Sequence, residues 1–439
     1  MDIFSYTPSV FTIDLSGIDC EKGIEPQYKA AFVHEYCHYL QDVTTISGIF
    51  GFSLLLWDIS QLSNELFSEK KKVITIPYID SDLGSYRKFY SIYCGDSNKL
   101  DNFPFENMHI EEIHREVEEI PLAGQNVNFG DNIIRFRNKM ELRFGLICLQ
   151  ESQAFLVQKI YEQKLEKVDE ITSTKNIKGI KYKICNLICD YCDVKIDDEI
   201  LFVLLDLCLD SVQAPTVFIE TVKALNGREL RKKDNIEQSL KEIIDLVHSK
   251  SNEFSFGNQA AFDNIIPDLE QWSKDPQRKY FSEALQWYIS IITTSKTFRD
   301  KSPGLISINF LDLKGLDMLL RIFPPPIIKC NEQYYRFNFP SEIVNEKILD
   351  DNFKAAAVFQ LMRVIYDLLL SKTREQFNQN IACPAFESCE FGFRDEYICK
   401  RSPWKIKEKS VNTTCYYGMA LFNYGLFKDD IDLDVSKMT

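Results

Sequence analysis

Histidine is scarce in this chain: 439 residues carry 5. Long basic runs are absent as well. With 51 Lys and Arg against 65 Asp and Glu the formal charge is −14, which argues against nucleic acid or an anionic membrane as the partner. Met1-Asp2-Ile3-Phe4-Ser5 lacks the basic region and apolar core of a secretory signal. The longest apolar run, near Ile200 to Leu209, contains Asp206 and is too short to span a bilayer. Internal repeats and low-complexity segments are also missing. The expectation is a cytoplasmic protein. In that compartment the 13 Cys, an odd number, read as reduced thiols, most of them small buried hydrophobes.

What remains is ordinary globular material. A 45% hydrophobic content gives ample core, and the length suggests two or three domains. Residues 9–15 look like a strand. Pro26 suits a helix start, and Gln27 to Asp42 reads as helix. Phe52 to Phe67 reads as a second helix and Val73 to Ile76 as a strand. Residues 81–101 read as loop-rich, Met108 to Ile120 as an acidic amphipathic helix, and Asn126 to Phe136 as a hairpin or edge strand. A long helix is expected from Lys139 to Glu166. Residues 178–298 read as mostly helical, with breaks at Pro215, Gly227 and Pro267. Pro324-Pro325-Pro326 breaks the chain, Ile327 to Phe339 reads as a hairpin around Asn331-Glu332, and Ala355 to Ser371 as a helix. The fold class expected is mainly α with small β elements. Its regions are 1–168 (catalytic), 169–300 (helical) and 301–439 (mixed, rich in Cys and aromatics).

Two of the few histidines fall in His34-Glu35-Tyr36-Cys37-His38. This is H-E-x-x-H, the zinc-hydrolase signature. On a helix, positions i and i+4 share a face, so both imidazoles can reach one ion, and the Glu can hold its water. Ala30, Ala31, Phe32 and Val33 precede the motif and Tyr39 and Leu40 follow it, so the helix is expected to be buried. Buried imidazoles and a carboxylate are costly without hydrogen bonds or a metal. Cys37 points away from the shared face. Asp42 reads either as a group orienting His38 or as a solvated acid at the helix end.

Zinc catalysis needs three protein ligands and an open position. Gln41 and Thr44 stand where metzincins have Gly and His, so that class is excluded. The stripe Phe144, Ile147, Cys148, Glu151, Ala154, Phe155 is apolar except for Glu151, which makes Glu151 the expected third ligand. The competing reading is a salt bridge to a Lys or Arg elsewhere. His114, on the apolar face of the expected helix with Ile110, Ile113 and Val117, is the alternative ligand or oxyanion donor. His34-Glu35-x-x-His38 followed by Glu151-Ser152-Gln153-Ala154 resembles the gluzincins, whose ligand Glu sits in an E-x-x-A/D-like helix. That resemblance covers the first third of the chain. It implies Zn2+ held by His34, His38 and Glu151, Glu35 as general base, and peptide-bond hydrolysis. Glu151 lies 113 positions beyond His38, farther than in compact members.

Two cysteine patterns compete. Cys185, Cys189 and Cys192 fit C-x-x-x-C-x-x-C, as in radical-SAM iron–sulfur sites. The helical continuation lacks the strand alternation and Gly-rich motif of that fold, so core packing is expected. Cys383, Cys389, Cys399 and Cys415 are spaced too irregularly for a familiar zinc ribbon, although a second metal there is an open alternative. The function expected is a zinc metallopeptidase acting on a protein or peptide substrate. The large non-catalytic remainder points to narrow or activator-dependent action, as in toxin, defence or effector systems. The alternative is a non-catalytic scaffold stabilised by zinc.

Overall fold

The computed structural model describes residues 4–7, 11–15, 24–68, 73–78, 83–96, 108–122, 125–165, 169–170, 172–177, 179–230, 236–275, 279–311, 313–325, 327–330, 333–338, 342–344, 351–383, 386, 395–405, 415–426 and 432–436. The fold is mainly helical with small separate sheets, as expected from the sequence. A single hydrophobic cluster runs from Phe4 to Leu426 and draws on nearly every element.

A turn at Pro26–Tyr28 leads into α1, Lys29–Thr44. Pro26 presets the first turn. The helix closes where the Thr44 and Thr45 hydroxyls bond back to the Leu40 and Gln41 carbonyls at 2.7 Å each. It is followed by α2 (Ile46–Ser68), β3 (Val73–Thr75) and α3 (Leu83–Cys94). α2 is long and apolar enough to cross a membrane, but 83% of its most apolar window is buried within the protein. Gly48 is required at the start of α2, because a Cβ there would meet the Gln41 carbonyl oxygen at 2.1 Å. α3 replaces the loop expected over residues 81–101. Phe89, Ile92 and Tyr93 form its buried face at helical spacing.

The segment Met108 to Ile120 is a strand rather than a helix. β4 (Ile110–Leu122) pairs antiparallel with β5 (Gln125–Phe136), and β6 (Glu141–Arg143) pairs with β5 over Ile133–Arg135. β5 is therefore central in this sheet, between β4 and β6, so of the hairpin or edge strand expected at Asn126 to Phe136 the edge strand is corrected and the segment is one arm of an antiparallel pair. A helical reading puts Val117 on the buried face, yet it is 61% exposed. Long-range pairing with β5 overrides the local preference of a Glu-rich stretch for helix.

α4, Leu146–Glu162, follows β6. Its cap, Gly145, abuts Gly95 and Cys94 so closely that a Cβ would meet the Cys94 carbonyl oxygen at 2.5 Å. This contact seats the start of α4 and makes the helix expected from Lys139 begin later. Helices α5 (Ile184–Tyr191), α6 (Asp198–Leu209), α7 (Ala214–Ala224), α8 (Ile236–Asp263), α9 (Ile265–Ser273), α10 (Lys279–Lys301), α11 (Leu305–Phe310) and α12 (Leu313–Ile322) fill the middle of the chain. β7 (Lys195–Ile196) and β8 (Glu229–Leu230) pair beside them. Then come the β9 (Ile327–Cys330) and β10 (Gln333–Asn338) hairpin, β11 (Glu342–Val344), α13 (Asp351–Leu369), α14 (Arg374–Asn380), α15 (Glu396–Arg401), α16 (Tyr416–Asn423) and β12 (Asp432–Asp434). Asn331 and Glu332, at the expected turn, lie outside the described residues.

Distant parts of the chain meet in the sheets. β1 (Ser5–Thr7) pairs with β2 (Thr12–Asp14), and β2 runs parallel to β9 in a sheet of order β1-β2-β9-β10-β11. β12 runs parallel to β3. These pairings, and a bond from Ser63 Oγ to the Asn423 carbonyl at 2.6 Å, cross the boundaries drawn from sequence at 168 and 300. Cys330, at the end of β9, is disulfide-bonded. The expectation that all the cysteines are reduced thiols is therefore corrected. Pairing depends on which strands meet, and sequence spacing alone does not show that.

Candidate metal centre

α1 is buried nearly all round, packed against α2, α4 and α10. His34 and Glu35 are 6% and 8% exposed. Spacing on α1 brings His34 Nε2 and His38 Nε2 to 3.3 Å. From the facing helix α4, Glu151 presents Oε2 at 3.8 Å from His34 Nε2 and 3.5 Å from His38 Nε2. A tetrahedral zinc with ligands at about 2.0–2.1 Å separates its ligand atoms by about 3.3–3.4 Å. The triangle matches that spacing on its shortest side and is slightly open on the other two. Two neutral nitrogens and a carboxylate also suit zinc chemically. Ligand atoms of His34, Glu35 and His38 lie within 4.8 Å of one another, so Glu35 borders the same point.

The surroundings orient these groups. Gln41, fully buried, offers Oε1 to His38 Nδ1 at 2.9 Å, while its amide donates to the Gln150 carbonyl at 3.0 Å and Gln153 Oε1 at 2.7 Å. The Gln41 oxygen takes the proton on Nδ1, which makes Nε2 the nitrogen that faces Glu151. Asp42 is half-buried and makes no hydrogen bond to His38 among the described residues. It accepts from Tyr6 Oη at 2.9 Å and from Gln150 at 3.4 Å. The Tyr6 ring stacks on His38 at 6.3 Å, and its backbone N–H donates to Glu35. His34 Nδ1 is buried, with no hydrogen-bond partner among the described residues.

Glu151 forms the salt bridge of the competing reading and also faces the imidazoles. Its Oε1 holds Lys181 Nζ at 3.1 Å, and its Oε2 faces the imidazoles. The salt bridge fixes the carboxylate in a one-oxygen presentation. Burial pushes Glu151 up, but His34, His38 and Lys181 outweigh it and hold the carboxyl well below the usual range. Burial pulls His38 down, yet the carboxylates of Glu151 and Glu35 hold it at about 9, the mark of a place that favours positive charge. Glu35 is raised, chiefly by burial, against the lowering pull of both imidazoles.

His114 does not join this group. It stands on β4 opposite Ile133, with Nε2 3.7 Å from Glu116, and the His34, Glu35 and His38 cluster does not include it. Cys37 is buried, and burial pushes its thiol up. Cys185, Cys189 and Cys192 are buried free thiols on or just after α5, likewise pushed up by burial, as core packing requires. Cys383, Cys399 and Cys415 form no disulfide, and Cys415 Sγ caps α16 by accepting from the Gly418 N–H at 3.3 Å. Cys389 lies outside the described residues.

Tyr6, Gln41 and Lys181 escaped the sequence reading. Gln41 carried a usable signal: a polar residue one turn after His38 on a helix with no solvated face. Tyr6 and Lys181 reach the site through tertiary contacts that no local pattern announces. Compared with protein-family models, with curated proteins and with solved structures, the chain matches none.

Proposed function

We propose that the chain is a zinc metallopeptidase of narrow specificity for a protein or peptide substrate. The observation that carries this reading is the convergence of His34 Nε2, His38 Nε2 and Glu151 Oε2 within 3.3–3.8 Å beside a further carboxylate, Glu35. His34, His38 and Glu151 would hold the ion. Zinc bound there supplies Lewis acidity toward a carbonyl oxygen and toward water. Glu35, raised by burial, has the affinity for a proton that a general base needs. It takes a proton from the attacking water and passes it to the leaving amine. Gln41 keeps His38 in the ligating tautomer, and Lys181 keeps Glu151 anionic and aimed.

Glu35→Gln in the full-length protein tests this. Zinc content stays at the wild-type level while peptide cleavage falls by about 10²–10⁴-fold. Cleavage at the wild-type rate in that variant removes Glu35 from its role, and a wild-type chain that binds no zinc removes the site. Burial favours a second reading, a non-catalytic scaffold that zinc stabilises, because His34 and Glu35 are less than a tenth exposed. In that case chelation lowers Tm and the wild type shows no cleavage to lose.

A further inference from the structure

Glu151 begins a stripe on α4 that continues at Phe155 and Lys159, about 6 and 12 Å further along the helix axis. The chain at 181–183 crosses this stripe. Lys181 Nζ binds Glu151 at 3.1 Å. The Tyr182 ring sits 6.0 Å from the His34 ring and 5.8 Å from that of Phe155. Lys183 Nζ lies 5.9 Å over the Phe155 ring. Beyond Phe155 these segments border a cavity of about 300 Å³ whose wall includes Lys159, Thr174, Lys175, Lys183 and Asn186.

Three lysines in one cavity stand out in a chain of net charge −14. Asp198, also in the wall, pairs with Lys159 at 2.6 Å. Glu162, next on the stripe, is turned to the Thr174 N–H at 2.8 Å. Among the described residues no carboxylate pairs with Lys175. The cavity thus has an aromatic floor at Phe155 and cationic walls, which suits a short apolar stem ending in a carboxylate.

We propose that this cavity is a specificity subsite for an acidic side chain of the substrate, two to three residues from the bond that is cut. An extended peptide advances about 3.3–3.6 Å per residue, so the 6–12 Å from Glu151 to the cavity spans roughly two to three residues. The proposal rests on the peptidase reading.

The test is cleavage-site mapping with the zinc-loaded full-length protein on a proteome-derived peptide mixture. Asp and Glu are enriched about five- to tenfold at one position two or three residues from the cut. Charge reversal at Lys175→Glu with Lys183→Glu abolishes that enrichment or turns it toward Lys and Arg, whereas Lys175→Arg with Lys183→Arg keeps it. Circular dichroism confirms folding. Cleavage without acidic enrichment, or enrichment that survives charge reversal, overturns the subsite and leaves the peptidase reading intact. If the wild type cleaves nothing, the peptidase reading fails and binding decides the pocket by itself. A fluorescein-labelled Ala-Ala-Glu-Glu-Ala-Ala peptide then binds about tenfold tighter than its Lys counterpart, and that difference disappears in the charge-reversed variant. Equal binding of the two peptides overturns the subsite.

Discussion

α1 carries a buried polar cluster near its middle and another at its C-terminal end, and they are built on opposite rules. At the end, Arg299 places a cation between two anions, donating to Asp210 at 2.7 Å and Asp206 at 3.0 Å and to Thr44 Oγ1 at 3.2 Å. Asp206 also accepts from the Ser307 N–H at 2.7 Å. Charge there is met by opposite charge from the chain itself. Near the middle, His34 Nε2, His38 Nε2 and Glu151 Oε2 converge on a common point, and Lys181 meets the other oxygen of Glu151. A self-neutralised cluster braces the fold. A cluster whose imidazole nitrogens and carboxylate oxygen converge makes sense around an added cation that displaces the imidazole proton.

The sharpest way to break that contrast is to remove one partner from each cluster. Arg299→Met leaves Asp206 buried and uncompensated, and the expected loss is about 3–5 kcal/mol of unfolding free energy, read by denaturant titration. Gln41→Ala frees His38 to rotate and weakens zinc binding by about 10–100-fold, measured by competition with a chelating dye on folded protein. Asp42 gives a pH signature. Burial raises it to about 6, against the lowering pull of Tyr6 and His38. Because the folded state then holds the proton more tightly than an unfolded aspartate near pH 4, its contribution is complete below about pH 4. It is lost as pH rises through 6. Wild-type stability is expected to fall by about 1–2 kcal/mol across that window, and Asp42→Asn flattens the slope. The smallest effect is expected at His38→Gln. Without zinc and above about pH 9, where the imidazole has lost its proton, it changes stability by less than about 1 kcal/mol, because Glu151 keeps its bond to Lys181. If His38→Gln costs as much as Arg299→Met, the two clusters are both structural and the contrast fails.

The fold class was legible in helical periodicity, and local patterns also picked out residues that converge beside α1. H-E-x-x-H on an all-apolar helix, and one acid on the apolar stripe of another, are local patterns, and the structure brings His34, His38 and Glu151 together. β4 was misread because Ile110, Ile113 and Val117 mimic helical spacing, while the pairing that makes it a strand comes from β5. α3 was hidden by its polar residues, though Phe89, Ile92 and Tyr93 carried the period. The joining of β2 to β9, more than 300 positions apart, has no local trace at all. Lys181 was foreseen only as a type, a cation that Glu151 would need.

X-ray absorption at the zinc edge of the zinc-loaded, full-length protein tests the central claim most directly. The account predicts one zinc per chain with two imidazole nitrogens and a carboxylate oxygen at about 2.0–2.1 Å. A sulfur shell near 2.3 Å would place the ion among cysteines and contradict it, as would a chain that takes up no zinc.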